Sequence, residues 1–174
     1  MSDVFYLRPI DPPIEPEDVQ AMAQHAGGCF GLHRVDWRQS FLAADGGRML
    51  CWYRAPDAES ARLALRQLGS DMSAVWAGRV IADGPENPAV SQARAVAEIL
   101  LDESLADADL AQRTAALQRQ DIALVCAFLS TRGDRLACLF RSSDPRAIEA
   151  ALDDAGLPAN AVWTCVPVTP VLGA

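Results

Sequence analysis

The chain carries two histidines, His25 and His33, with Cys29 midway between them. Steps of four residues bring side chains to one face of a helix. Imidazole and thiolate together are a donor set for nickel or zinc. Gly27, Gly28 and Gly31 interrupt the stretch, and His33 is expected to open a strand, so convergence of the three donors needs a bent segment. The plainer reading puts His25 on the surface, Cys29 in the core and His33 in a hydrogen bond. Glu98 is a further carboxylate. Buried, it serves as a base or a metal ligand, or else as a paired structural group.

A second constellation is the row Arg34, Asp36, Arg38 and Ser40. Alternate positions of a strand share one face, and guanidinium groups there suit a small anion or a carboxylate. Trp52 beside them offers a surface for stacking a flat ligand. The alternative is an internal salt bridge in a solvated cleft. Catalytic residues are not assignable. Cys51, Cys126, Cys138 and Cys165 fall on apolar strands as small core residues, and no activating base accompanies them. Dinucleotide-binding, phosphate-loop, nucleophile-elbow and zinc-protease motifs are absent.

The 174 residues suffice for one domain or two small ones. The net charge is −8 and every basic residue is arginine. Scattered charges of this sign exclude nucleic acid and membranes as expected partners, because phosphate binding needs clustered positive charge. No apolar run approaches the roughly 20 residues of a membrane span. The opening Met1-Ser2-Asp3-Val4 lacks a basic leader region, so a cytoplasmic location is expected. Five cysteines without a CxxC pair do not read as a disulfide framework.

The elements that must position these residues recur along the chain. Phe41 to Ile81 aligns without gaps on Phe128 to Val168 at a shift of 87, and Asp11 to Val19 aligns on Asp102 to Leu110 at a shift of 91. Each copy reads strand, helix, strand, strand, helix, strand. Pro16 with Glu17 and Asp18 starts the first helix, and Gly27-Gly28 is expected to end it. Asp45-Gly46-Gly47 marks a hairpin. Asp57 and Asp144 cap the later helices, which Gly69 and Gly156 stop.

Ala82 to Pro88 reads as a linker. The expected boundaries are repeat 1 at 1–82, linker at 83–93, and repeat 2 with a short tail at 94–174. The fold class expected is α+β: two fused ferredoxin-like (βαββαβ) units forming a pseudo-dimeric α+β barrel or sandwich. On strand alternation, His33, Val35, Trp37, Gln39 and Phe41 share the helix side with Met49, Cys51 and Tyr53. Ala123, Val125, Ala127, Leu129, Ala137 and Leu139 lie on the opposite side in copy two, and the two sheets are expected to face each other.

The stretch from Trp37 to Pro56, WRQSFLAADGGRMLCWYRAP, resembles a known pattern: W-x-x-S-[FY], then D-G, then C-x-Y-x-A-P. In this the stretch is similar to a small ferredoxin-like family, domain of unknown function 4242, that includes an actinobacterial nickel-binding protein. Copy two keeps Phe128, Gly133, Cys138 and Phe140 but has Leu124, Ala127 and Ser142-Ser143 at the other motif positions. The resemblance implies a ferredoxin-like fold, association of units as an internal pseudo-dimer, and binding of a divalent metal such as nickel. Three functions follow as expectations. The first is a metal buffer, carrier or sensor with His25, Cys29, His33 and Glu98 as donors, more a binding protein than an enzyme. The second is a cavity enzyme or binder of a small anion at Arg34, Asp36, Arg38, Ser40 and Trp52. The third is an interaction module, with a further homodimer possible.

Overall fold

The computed structural model describes residues 1–81 and 89–173. In chain order the elements are β1 (Ser2–Pro9), α1 (Pro16–Leu32), β2 (Asp36–Ala43), β3 (Arg48–Ala55), α2 (Ala58–Gln67) and β4 (Val75–Ile81). There follow β5 (Ala95–Leu100), α3 (Asp107–Ala115), β6 (Leu124–Ser130), β7 (Arg135–Phe140), α4 (Pro145–Asp154) and β8 (Ala161–Val168). Two compact units result: Met1–Arg79 with Val166–Ala174, and Val80–Cys165. The expected linker at 83–93 lies largely outside the described residues, and its end carries a single 3-10 turn, Val90–Gln92.

In the first unit, Pro16 opens α1 and the Asp18 carboxylate accepts from the Glu15 N–H at 2.8 Å. Gly27-Gly28 does not end this helix. It continues to Leu32, and His33 is its C-cap rather than the start of a strand. Gly27 is there for close approach: it is buried, and a Cβ on it would overlap the Gly173 carbonyl of the C-terminal segment. Gln20 fixes that segment from both ends of its amide, donating to the Thr169 carbonyl at 2.7 Å and accepting from the Val171 N–H at 3.1 Å. At α2 the Asp57 carboxylate caps as expected, accepting from the Ser60 N–H at 2.7 Å. Gly46 takes the positive φ of +73° that the β2–β3 hairpin demands.

The faces of β2 differ from simple alternation. A β-bulge between Trp37 and Gln39 inserts one residue into the ladder with β3, which exchanges the two faces beyond it. Trp37 stays on the helix side. Leu42 and Ser40 join it there, while Gln39 and Phe41, expected on that side, lie outside the helix-packed core. That core holds Val4, Val19, Phe30, Met49, Leu65 and Val75, with Val168 from the chain's last strand. Each such fully buried aliphatic or aromatic side chain stabilises by about 1.5–3 kcal/mol.

The second unit repeats the caps. The Asp144 carboxylate accepts from the Arg146 and Ala147 N–H groups at 3.1 and 3.3 Å, with Pro145 in the first turn. Its first helix, α3, has nine residues against seventeen in α1. A bulge between Leu124 and Cys126 again shifts the faces. Ala127 and Leu129, expected away from the helices, therefore pack with Leu110, Ile148 and Leu152, whereas Ala137 and Leu139 do lie outside that core.

Two fused ferredoxin-like units, each with its own sheet, are not what the chain forms. The hydrogen-bonded strand order closes on itself as one eight-stranded antiparallel barrel, β1-β3-β2-β8-β5-β7-β6-β4. Separate four-stranded sheets would leave unpaired edges at β2, β4, β6 and β8, and closure removes every edge. From Val166 onward β8 belongs to the first unit, and Val80 and Ile81 of β4 belong to the second. No helix among the described residues is long and apolar enough to cross a membrane.

Candidate functional site

Alternate residues of β1 point to the helix side, and in the ladder Tyr6 pairs with Cys51 and Arg8 with Met49. Between these strands and the helices of the first unit lies a cavity of about 180 Å³. Met22, His25, Ala26 and Phe30 of α1 form one wall. Leu65, Leu68, Gly69 and Ser70, at the end of α2, form another. Tyr6, Arg8, Trp37 and Tyr53 close it from the strands. Gly69, at φ +76°, has nothing within 4 Å of where a Cβ would stand, so the α2 end is open.

The floor is an aromatic trio. Phe30, Trp37 and Tyr53 have ring centroids 5.5–5.8 Å apart, with Phe30 edge-on to Tyr53, a separation at which rings attract beyond their buried area. Beneath it runs a buried hydrogen-bond chain. The Trp37 Nε1–H donates to Ser40 Oγ at 2.9 Å, and the Ser40 hydroxyl donates to Cys51 Sγ at 3.1 Å. The Tyr53 hydroxyl donates to the same sulfur. The residues of the W-x-x-S and C-x-Y patterns are thus one connected network, and two of them line the cavity.

Burial pushes the Cys51 thiol up, against the opposing pull of its Ser40 and Tyr53 hydrogen bonds. Burial also pushes the Tyr53 phenol well above its ordinary value. Tyr6 is raised by burial too, although the adjacent Arg8 works against the shift. All three groups therefore stay protonated at neutral pH.

Arg8 is the charged wall. Its guanidinium lies 5.3 Å from the centroid of the Tyr6 ring, within cation–π range. Its Nε is buried and has no hydrogen-bond partner among the described residues. Nη2 donates to the Met22 thioether at 3.8 Å, a weak acceptor. Among the described residues no carboxylate lines the cavity.

The expected anion row does not stay together. Arg34 sits at φ +55° ahead of β2, Asp36 and Arg38 form an exposed ion pair at 3.1 Å, and Ser40 is buried in the network under the cavity. Trp52 donates from Nε1 to Asp3 at 2.9 Å, with the Arg38 guanidinium 6.0 Å from its ring. Of the expected metal donors, His25 is exposed at the cavity rim and Cys29 is half-buried one turn further along α1. The Nε2 of His33 is buried without a partner among the described residues. Glu98 belongs to the second unit, where it accepts from Trp163 Nε1 at 2.7 Å. Among the described residues no three His, Cys, Asp or Glu side chains are placed to hold a metal ion, so the donors present do not make a closed site. Tyr6, Arg8, Met22, Trp37 and Tyr53 were not foreseen as a site. The signal available was their contrast with copy two, which has Ala97 and Ile99 against Cys138 and Leu136 where copy one has Tyr6 and Arg8 against Cys51 and Met49.

Residues 6–77 match the family model described as nickel responsive protein SCO4226-like. The match lies wholly within the first unit and includes every residue lining the cavity. It carries the nickel theme of the expected resemblance, whereas the second unit stands outside it. No curated protein matches in sequence.

Solved structures resemble the chain across nearly its whole length. A provisionally assigned monooxygenase from Lactobacillus acidophilus NCFM aligns with TM-score 0.47 and 9% identity, covering 100% of this chain and 98% of that one. An anthrone oxidase-like protein aligns at 0.45 and 9%, covering 97% and 90%. A provisionally assigned chlorite dismutase aligns at 0.49 and 10%, covering 96% and 94%. Likeness at this level carries no argument about activity.

Proposed function

We propose that the first unit binds a small, largely apolar molecule in the cavity between α1, α2 and the strands. The carrying observation is the cavity itself, walled by Phe30, Trp37 and Tyr53 and open at Gly69. Concave, aromatic-lined space with a few polar groups is the usual form of a ligand site. At about 180 Å³ it is smaller than the roughly 300–1,000 Å³ of drug-sized pockets, and suits one ring or a short chain. With the Cys51 thiol and the tyrosine phenols held protonated, the chemistry offered is recognition.

Ligand-observed NMR with a library of single-ring and short-chain compounds tests this. Binding is expected to the wild type, with at least about a tenfold loss in Ala26→Leu, whose added carbons occupy the cavity. Binding that is absent throughout, or indifferent to Ala26→Leu in a variant with native circular dichroism, contradicts the reading.

Nickel binding is the second reading. The family match supports it, as does the unbroken run of α1 that sets His25 and Cys29 one turn apart. It ranks second because these donors lack a third among the described residues. Calorimetric titration of untagged protein with Ni²⁺ decides it. Micromolar binding lost in the His25→Ala, Cys29→Ser double variant favours nickel, and no heat of binding retires it.

A further inference from the structure

We infer that the ligand of this cavity is a monocarboxylate with an apolar body, its carboxylate held side-on by Arg8; this rests on the cavity reading above. Nε–H and one Nη2–H of an arginine point the same way along a single edge of the guanidinium. That edge matches the two oxygens of a carboxylate. In Arg8 it is underused: the guanidinium has a side-chain hydrogen bond with Tyr6, but Nε is buried with no partner among the described residues, and Nη2 has only a thioether at 3.8 Å. A buried donor left unpaired is costly, and a bound oxyanion would satisfy both groups at once. The neighbouring acid does not compete for it. Asp71, whose charge reaches Tyr6, is engaged by the Ser73 N–H and hydroxyl at 3.0 and 2.9 Å.

The charge count sets the class of anion. Among the described residues Arg8 is the single arginine of the lining, with His25 at the rim, and one guanidinium balances one negative charge. A phosphate dianion would bring a second charge and further oxygens against Phe30, Trp37 and Leu65, which offer no donors into the space for them. The body of the ligand meets those rings and the α1 wall. Ser70, on the α2 side, is a polar contact available to a second substituent. A space of 180 Å³ accommodates benzoate or hexanoate, since dry apolar cavities of about 150 Å³ take up benzene.

The experiment measures affinities of the full chain for benzoate, benzamide, hexanoate, hexanamide and inorganic phosphate by calorimetry or NMR titration. The wild type is expected to bind each carboxylate at least about tenfold more tightly than its amide and to ignore inorganic phosphate. Arg8→Met is expected to lose that preference while holding the amides within about threefold. Arg8→Lys, which keeps the charge but not the fork, should fall between them. Equal binding of acid and amide by the wild type, or a carboxylate preference that survives Arg8→Met, overturns the carboxylate assignment and leaves the cavity reading standing. Binding of phosphate in place of the carboxylates overturns it in favour of a phosphorylated ligand. If neither acids nor amides bind, the cavity reading itself fails.

Discussion

The two units solve the same packing problem with different chemistry at matching ladder positions. Facing Cys51 the first unit has Tyr6, and facing Cys138 the second has Ala97; Arg8 against Met49 corresponds to Ile99 against Leu136. Trp37, Ser40 and Tyr53 have as counterparts Leu124, Ala127 and Phe140, all within the apolar core of the second unit. The helices differ in the same sense. A Cβ at Gly69 would meet nothing within 4 Å, whereas one at Gly156 would meet the Arg113 guanidinium, which reaches from α3 to the Gly156 carbonyl. The second unit shows that these elements fold with an apolar filling. Burying the Arg8 Nε in the first with no partner among the described residues therefore serves something other than folding, because a buried donor costs free energy unless satisfied.

Exchanging the central pair gives the largest effect. Ile99→Arg places a charge in the second core, where Ile99 is 2% exposed, and should destabilise by about 3–5 kcal/mol. Arg8→Ile should change stability by less than about 1 kcal/mol while removing the anion site. Urea unfolding of both variants measures this, and equal costs would mean that Arg8 is as structural as Ile99. A smaller loss follows Tyr53→Phe, which gives the first unit the side chain of Phe140. One hydrogen bond to Cys51 disappears while the ring remains, at a cost of about 1 kcal/mol, readable in the same assay.

The thiols distinguish the regions by access. Burial raises Cys138 and Cys165 to about 12 from an ordinary 9.0. Cys126 is also raised, by burial and by Cys138. Their folded-state values exceed those of the unfolded chain, so their contribution to stability is complete below pH 9 and is lost as pH climbs toward 12. Alkylation at pH 8 should label Cys29 in the first unit and spare the buried Cys51, Cys126, Cys138 and Cys165, as intact-mass measurement would show. The smallest change concerns Arg34 and Ala123, which lead into β2 and β6 at φ +55° and +45°. Replacing either by glycine relieves left-handed strain and should stabilise by under about 1 kcal/mol, seen as a small rise in melting temperature.

What was legible in the sequence is what is decided locally. Asp57 and Asp144 cap where expected, and Gly46 and Gly133 turn the hairpins, because a cap or a tight turn depends on a few adjacent residues. Gly27 misled, since its purpose is contact with Gly173, nearly the whole chain away. The bulges at Trp37 and Leu124 are invisible to a period-two reading, and they reassign Ser40, Phe41, Ala127 and Leu129. Closure of the sheet depends on β2 lying beside β8 and β4 beside β6, pairings that no short window contains. The site was half visible. Trp37, Ser40, Cys51 and Tyr53 form a recognisable pattern, whereas nothing local sets Arg8 apart from any other strand residue, and only its contrast with Ile99 does so.

The central claim, that the first unit keeps an accessible ligand cavity at Arg8, is tested most directly through its methionines. The chain has four, Met1, Met22, Met49 and Met72, and Met22 is the one lining the cavity. In protein carrying carbon-13 methionine methyl groups, titration with benzoate should shift the Met22 signal most, by the ring current of the bound ligand, and Arg8→Met should suppress that shift. A Met22 signal unmoved at saturating benzoate, or moved equally in Arg8→Met, would contradict the account.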